Sequence, residues 1–248
     1  MRKTFATRGL VLRRIGFSDS SQIVTLFTKD YGVLTVLAKG AERLARASSR
    51  FPAPFDLAGW YDVHVRRGGG EVHLATEARL VEGFDHLRRS LGAHFDAAFA
   101  LEVLARLFSP QDPHPYVLRG ALSYFKLLES STGRPALRIH FLAAALREAG
   151  LAPEWAACTE CGQVLPTSGM VGVRVPVGAV CDDCRSGGER PVAAPVVAYL
   201  AAEAGAPWGR VANLQPGPEV LRDGWYLLRD SLVYHLERPP RSLRFVRQ

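Results

Sequence analysis

Along the first 80 residues, apolar side chains gather in short runs that read as strands. The runs are residues 9–14, 22–28, 33–38, 57–65 and 71–79, and Tyr61, Val63 and Val65, then Val72 and Leu74, keep the two-residue period of a half-buried β-strand. Residues 15–21, rich in Gly, Ser and Asp, separate the first two runs. Lys29-Asp30-Tyr31-Gly32 separates the next two and ends on a residue that tolerates positive φ, a good hairpin turn. Arg66-Arg67-Gly68-Gly69-Gly70 joins the last two, while a longer connection spans residues 39–54. Five strands with the long insertion between the third and fourth predict a small closed Greek-key barrel of the OB type. Alternation alone describes an SH3-like barrel equally well.

From about residue 87 the period lengthens to that of a helix. Leu91, Phe95, Phe99, Val103, Leu104 and Leu107 share one face, and Ser109-Pro110 ends it. Further helices are expected over 115–129, 135–150, 195–204 and 218–237, the third predicted helix opening on Pro135 and closing on Gly150. Residues 153–190 interrupt this helical pattern. The chain is therefore expected to be an α+β multidomain protein. An OB barrel would occupy residues 1–82, and a helical bundle residues 83–152 and 191–248. A four-cysteine module, residues 153–190, would be inserted in the bundle.

The inserted segment holds all the cysteines. Cys158-Thr159-Glu160-Cys161 and Cys181-Asp182-Asp183-Cys184 are separated by 19 residues. Two such pairs at this spacing point to a four-thiolate zinc site, in which each knuckle presents two sulfurs to one tetrahedral ion. Gly162 frees the backbone of the first knuckle, and Gly187 and Gly188 that of the second. Two local disulfides or a redox pair explain the pattern less completely. Four thiolates leave no open coordination position, so the expected zinc is structural.

Charge adds a partner to this outline. Residues 1–80 contain 13 Lys and Arg against 7 Asp and Glu, so +6 of the formal +7 belongs to the barrel segment. A basic field on an OB barrel suits phosphates. Arg14, Lys39, Arg43, Arg46, Arg50, Arg66 and Arg67 are the candidate nucleic-acid contacts. Lys39 to Arg50 recur at intervals of three or four with only Glu42 between them, and Arg66 and Arg67 stand at the glycine-rich hairpin tip. Phe17, Tyr31 and Phe51 lie near turns and are expected in the barrel core or at an interface rather than against bases. Trp225, Tyr226 and Tyr234 are expected in the bundle core, and Arg241, Arg244 and Arg247 in a basic tail.

Catalytic patterns are missing. The sequence holds no His-Glu-x-x-His, Gly-x-Ser-x-Gly or phosphate-binding loop, and no His-x-Glu precedes the first cysteine pair as a zinc deaminase requires. The seven histidines show no ligand spacing. Leu10-Val11-Leu12 is cut off by Arg13-Arg14 before reaching signal-peptide length, and no apolar run spans a bilayer. The expectation is a cytoplasmic, nucleoid-associated protein without enzymatic activity or membrane contact.

Several stretches together resemble the RecO family of DNA repair and recombination mediators. They are Gly9-Leu10-Val11-Leu12-Arg13-Arg14, residues 23–34 (IVTLFTKDYGVL), Val36-Leu37-Ala38-Lys39-Gly40-Ala41, and Gly150-Leu151-Ala152-Pro153 leading into the cysteine pairs. The resemblance runs the length of the chain. It implies an OB barrel followed by a helical domain with a zinc module. It also implies binding of single- and double-stranded DNA and annealing of complementary strands. Its implied partners are RecR and the acidic C-terminal tail of single-strand-binding protein (SSB), through which RecA is helped onto coated strands. Two rivals share some features: a zinc-ribbon RNA-binding protein of translation or tRNA handling, and a zinc-dependent hydrolase, which a closed four-thiolate site disfavours.

Overall fold

The computed structural model describes residues 4–41, 50–130, 135–203, 205–207 and 216–246. Arg43, Arg46 and Arg247 lie outside them, as do residues 42–49, half of the longer connection between the third and fourth predicted strands. The chain divides into two compact units, residues 1–125 and 126–248.

In the first unit, β1 (Thr4–Ser18), β2 (Ser21–Thr28), β3 (Gly32–Ala38), β4 (Trp60–Arg66) and β5 (Val72–Glu82) close a barrel in the order β1-β2-β3-β5-β4. β3 and β5 run parallel while the other pairs are antiparallel, the OB arrangement. β1 is much longer than its apolar run of residues 9–14. Its first half pairs with β4 and its second half with β2, and a register shift between Val11 and Arg13 bends it from one partner to the other. Long-range pairing extends a strand beyond the reach of its own pattern.

The inward positions form one apolar cluster, including Val11, Val24, Leu26, Val36, Phe51, Phe55, Tyr61, Val63 and Val65. Gln22, also buried, stitches the long connection to this core. Its Oε1 accepts the Phe55 N–H at 2.9 Å, and its Nε2 donates to the Phe55 carbonyl at 3.4 Å. The amide satisfies two backbone groups that would otherwise be stranded where no strand pairs with them.

α1 (His86–Arg89) and α2 (Leu91–Leu107) follow, then α3 (Pro115–Ser130). Ser90 caps α2 by accepting the Ala93 N–H at 3.4 Å. The segment after α2 returns to the barrel, where Phe108 stacks on Phe27 at 5.3 Å and the Val33 N–H donates to the Ser109 carbonyl at 3.1 Å. Gly32 serves two demands here. It takes φ +64°, and a Cβ on it would sit 2.5 Å from the Ser109 carbonyl oxygen.

The second unit contains α4 (Pro135–Glu148), β6 (Met170–Arg174), β7 (Gly178–Val180), β8 (Arg190–Ala193), α5 (Ala194–Glu203) and α6 (Pro218–Leu236). β7-β6-β8 form a small sheet that periodicity did not reveal, because strands of three to five residues are too short to show a period. α4 is buried from Ala136 to Leu146. Two polar side chains on it find partners on helices that follow the cysteine module. Arg138 lies 5.1 Å from the Trp225 ring on α6, and His140 Nδ1 is 2.7 Å from Glu203 Oε2 on α5. Trp225 is buried as expected, whereas Tyr234 is 64% exposed and belongs to no core. Among the described residues, no helix is long and apolar enough to cross a membrane.

Candidate nucleic-acid interface and metal centre

The two cysteine pairs meet. Their four sulfurs lie within 4.8 Å of one another, and Cys161 Sγ is 3.8 Å from Cys181 Sγ. Bonds of ~2.3 Å from four thiolates to one tetrahedral zinc require sulfur separations of roughly 3.8 Å, so the set fits such an ion. None of the cysteines is disulfide-bonded.

Local backbone geometry produces the convergence. In the first knuckle, the Gly162 N–H donates to the Cys158 carbonyl at 2.9 Å with Gly162 at φ +74°. In the second, a 3₁₀ turn (Asp182–Cys184) closes through the Cys184 N–H and the Cys181 carbonyl at 3.2 Å. The Thr159 N–H donates to the Ala179 carbonyl at 3.0 Å, and the Cys181 N–H points at Cys158 Sγ at 3.4 Å, so β7 aligns the knuckles.

Burial pushes the Cys158 thiol up, but N–H bonds from Cys161, Cys181 and Glu160 outweigh it and bring the pKa to about 6. Cys184 goes the other way, pushed up to about 12 by its bonds with the Cys181 and Cys161 thiols and then by burial. Four thiolates brought this close repel one another and need a cation between them.

An ion-pair frame surrounds the sulfurs. Arg174 on β6 bridges Glu160, inside the first knuckle, at 2.8 Å and Glu189 at 2.6 Å. Glu189 also accepts from the Ser186 hydroxyl at 2.8 Å and the Gly187 N–H at 3.0 Å, just past the second knuckle. Arg174 first, and then Ser186, hold the Glu189 carboxyl down to about 2. Sequence reasoning missed both residues, since neither stands within a cysteine pair.

The candidate phosphate contacts fall at the two ends of the barrel. Thr4 pairs with Arg66 at one end of β1; Arg14 lies ten residues further along, roughly 30 Å by strand rise. With Arg14 stand Lys39, which follows the end of β3, and Arg50, whose carbonyl accepts the Ala78 N–H at 3.0 Å. All five described cations (Arg14, Lys39, Arg50, Arg66, Arg67) are exposed. Arg14 comes within 3.8 Å of Asp56, whereas Lys39, Arg50, Arg66 and Arg67 have no ion pair among the described residues.

Between the ends lies a groove of about 730 Å³ on the outer face of β1 and β4 that sequence reasoning did not find. Arg8, Lys29, Arg79 and Arg119 line it together with Asp30, Asp62 and Glu77. Asp62 takes Arg8 at 2.7 Å and Arg79 at 3.0 Å, so much of that positive charge is already committed. Burial opposes ionisation of Asp62, but the two guanidiniums prevail and hold its carboxyl below the usual range. The second unit has a separate, mainly apolar pocket of about 250 Å³, lined by Pro135, Arg138, Pro218, Leu221, Arg222 and Trp225.

Of the three aromatics named beside the cations, Phe51 is buried in the barrel core, and Phe17 is 61% exposed. Tyr31 is half-buried at the Arg66 and Arg67 end. The nearby groups that sequence reasoning missed are Phe5 and His73, which strand pairing brings there from other strands.

Comparison with known proteins agrees with this architecture. The family described as Recombination protein O N terminal matches residues 1–84, and Recombination protein O C terminal matches residues 89–244. The DNA repair protein RecO of Geobacter metallireducens is 31% identical over 244 residues, covering 98% of this chain and 96% of that protein. That of an Anaeromyxobacter strain is 30% identical over 241 residues (96% and 94% coverage), and that of Myxococcus xanthus 29% over 244 residues (96% and 95%). Among solved structures, an aspartyl tRNA synthetase from Entamoeba histolytica gives a TM-score of 0.26 at 13% identity over 99% of this chain and 55% of that one, which carries no argument. With both family regions matched in order along the chain, an OB barrel in front and a converging cysteine set behind, this protein belongs to the RecO family of DNA repair proteins.

Proposed function

We propose that this chain is a non-enzymatic recombination mediator. It would bind single- and double-stranded DNA, anneal complementary strands and, with RecR, help RecA load where SSB coats the strand. The observation that carries this reading is the set of exposed cations without carboxylate partners at both ends of an OB barrel in a DNA repair family. Such cations release counterions when they meet phosphates, giving affinity with little sequence preference and a steep salt dependence. Neutralising two strands at once lowers their mutual repulsion, so annealing needs no nucleotide hydrolysis. Lys39, Arg50, Arg66 and Arg67 are assigned to this role, joined by Arg14 despite its 3.8 Å approach to Asp56, with Arg43 and Arg46 assigned from the sequence alone. The barrel (residues 1–82) would be the DNA-binding part, the bundle (83–152 and 191–248) the protein-binding part, and residues 153–190 the metal module.

The cysteine set is assigned to structural zinc, held by Cys158, Cys161, Cys181 and Cys184. Soft thiolates favour that ion, and a filled coordination shell leaves no position at which to activate water. The pocket beside Trp225 suits the SSB tail. Its apolar walls would take aromatic and aliphatic side chains, and Arg222, which also pairs with Asp223 at 2.9 Å, an acidic terminus. The assigned location is the cytoplasm, at the nucleoid.

The test is annealing of complementary strands by purified protein without nucleotide, on bare and SSB-coated DNA across a salt series. Salt-sensitive annealing that persists on coated strands is expected. Tight DNA binding without annealing would reduce the protein to a nucleic-acid-binding module and overturn the mediator role.

A further inference from the structure

At the Arg66 and Arg67 end of the barrel, three rings from three different places in the sequence come together. Phe5 opens β1, Tyr31 stands in the turn between β2 and β3, and His73 follows the glycine-rich tip. The Phe5 and Tyr31 centroids are 4.3 Å apart with a 48° interplanar angle, and His73 meets Phe5 edge-on at 6.4 Å. Arg67 covers this pair, its guanidinium carbon 5.0 Å from the Phe5 centroid and 5.9 Å from that of Tyr31.

The cover is lightly held. Among the described residues no carboxylate lies within ion-pair distance of Arg67, so the ring faces are its recorded contacts. The chain beside it has limited but real freedom. Gly68 is fixed, its N–H donating to His73 Nδ1 at 3.3 Å, and a Cβ on it would lie 2.4 Å from the Val72 carbonyl oxygen. Gly69 and Gly70 face open space. Burial first, and Arg67 second, lower the His73 pKa, so the third ring is neutral near pH 7 and adds no repulsion toward a cation. Asp30, the acidic residue beside Tyr31, is engaged by the Thr7 hydroxyl at 3.1 Å.

We propose that Phe5 and Tyr31 form a stacking platform for one unpaired base of single-stranded DNA, and that Arg67 covers it in the free protein and yields or closes over the base when a strand arrives. This rests on the DNA-binding reading above and adds to it a site that distinguishes single strands from duplex. A guanidinium and a nucleobase are both flat groups that lie on aromatic rings, the first by cation–π attraction and the second by stacking of π-faces, so a ring pair that holds one accommodates the other. Displaced from the rings, Arg67 joins Arg66 in facing the flanking phosphates. Duplex DNA offers phosphates to both arginines but no free base to the platform.

The experiment uses the full chain and its Tyr31→Leu variant, which keeps apolar bulk but removes the ring. Phe5→Leu is the second variant, with thermal unfolding confirming that each folds. Fluorescence anisotropy measures affinity for a single strand, for the same strand with abasic sites in place of bases, and for duplex. Quenching of 2-aminopurine in the single strand reports stacking. The expected result is an affinity loss on the order of tenfold for the base-bearing single strand, loss of quenching, and unchanged affinity for abasic strand and duplex. If both variants bind and quench like the unaltered protein, the platform is overturned while DNA binding stands. If the unaltered protein binds neither strand nor duplex at low salt, the DNA-binding reading falls and the platform falls with it.

Discussion

The barrel and the cysteine module spend their charges in opposite ways. In the barrel, Lys39, Arg50, Arg66 and Arg67 face solvent without a carboxylate, while stability comes from a closed sheet around a cluster of Val, Leu and Phe. In the module, Arg174 is shared by two carboxylates and Arg185 is paired with Asp182, and the sheet has only three short strands. A segment with so little core needs another source of order, and a metal held by the converging thiols would provide it. The barrel can leave cations unpaired because its core does not need them, which makes them available to a ligand. The module has none to spare.

The largest effect that tests this contrast is removal of the metal. Structural zinc sites contribute apparent binding free energies of about 10–16 kcal/mol, and with the proposed zinc in this module that energy would be folding energy. Chelation, or Cys158→Ser, is expected to unfold residues 153–190, read as loss of amide protection there with the barrel's protection unchanged. DNA affinity should change less than stability. Equal loss of protection in the barrel would erase the contrast.

The reverse experiment strikes the barrel core. Phe55 is 1% exposed and stacks between Phe51 at 6.0 Å and Tyr61 at 4.8 Å. Phe55→Ala should cost about 3–5 kcal/mol through lost burial and the cavity left behind. Denaturant unfolding of the barrel would show it, while metal retention should be unaltered.

Glu189 gives a smaller effect with a pH signature. Its carboxyl titrates near 2 in the folded protein against an ordinary value of about 4.3 when unfolded. Its stabilisation is therefore complete above about pH 4.3 and is lost as pH falls toward 2. Glu189→Gln should lower the module's thermal midpoint by a near-constant amount from pH 8 to 5, and the gap from wild type should narrow below about pH 4. A gap that already closes between pH 6 and 5 would assign the acid sensitivity to the thiolates instead.

What could be seen in the sequence follows how local each signal is. The cysteine pairs, the turn ending on Gly32 and the five apolar runs are local, and each is found where its pattern places it. Arg174 is not local to the cysteines, and nothing in a linear reading connects it to Glu160 and Glu189. The same holds for Phe5 beside Tyr31, which meet because β1 pairs with β2, and for Arg67, which the pairing of β1 with β4 brings to them. The candidate cations were each visible, yet their division between two barrel ends depends on strand register, which alternation does not encode.

The smallest predicted effect separates two kinds of arginine within the barrel itself. Arg66 has no carboxylate partner among the described residues, while Arg8 is 2.7 Å from Asp62. A phosphate approaching Arg8 must compete with a charge already in place, and removing Arg8 frees Asp62 to claim Arg79 alone. Arg66→Ala should therefore weaken single-strand and duplex binding alike and reduce the slope of log affinity against log salt by about 1. Arg8→Ala should leave that slope nearly unchanged. Equal slope losses would mean that Asp62 releases its arginines on binding, and that the groove of about 730 Å³ is part of the DNA path. The contrast between committed and uncommitted charge would then hold between the barrel and the cysteine module, but not within the barrel.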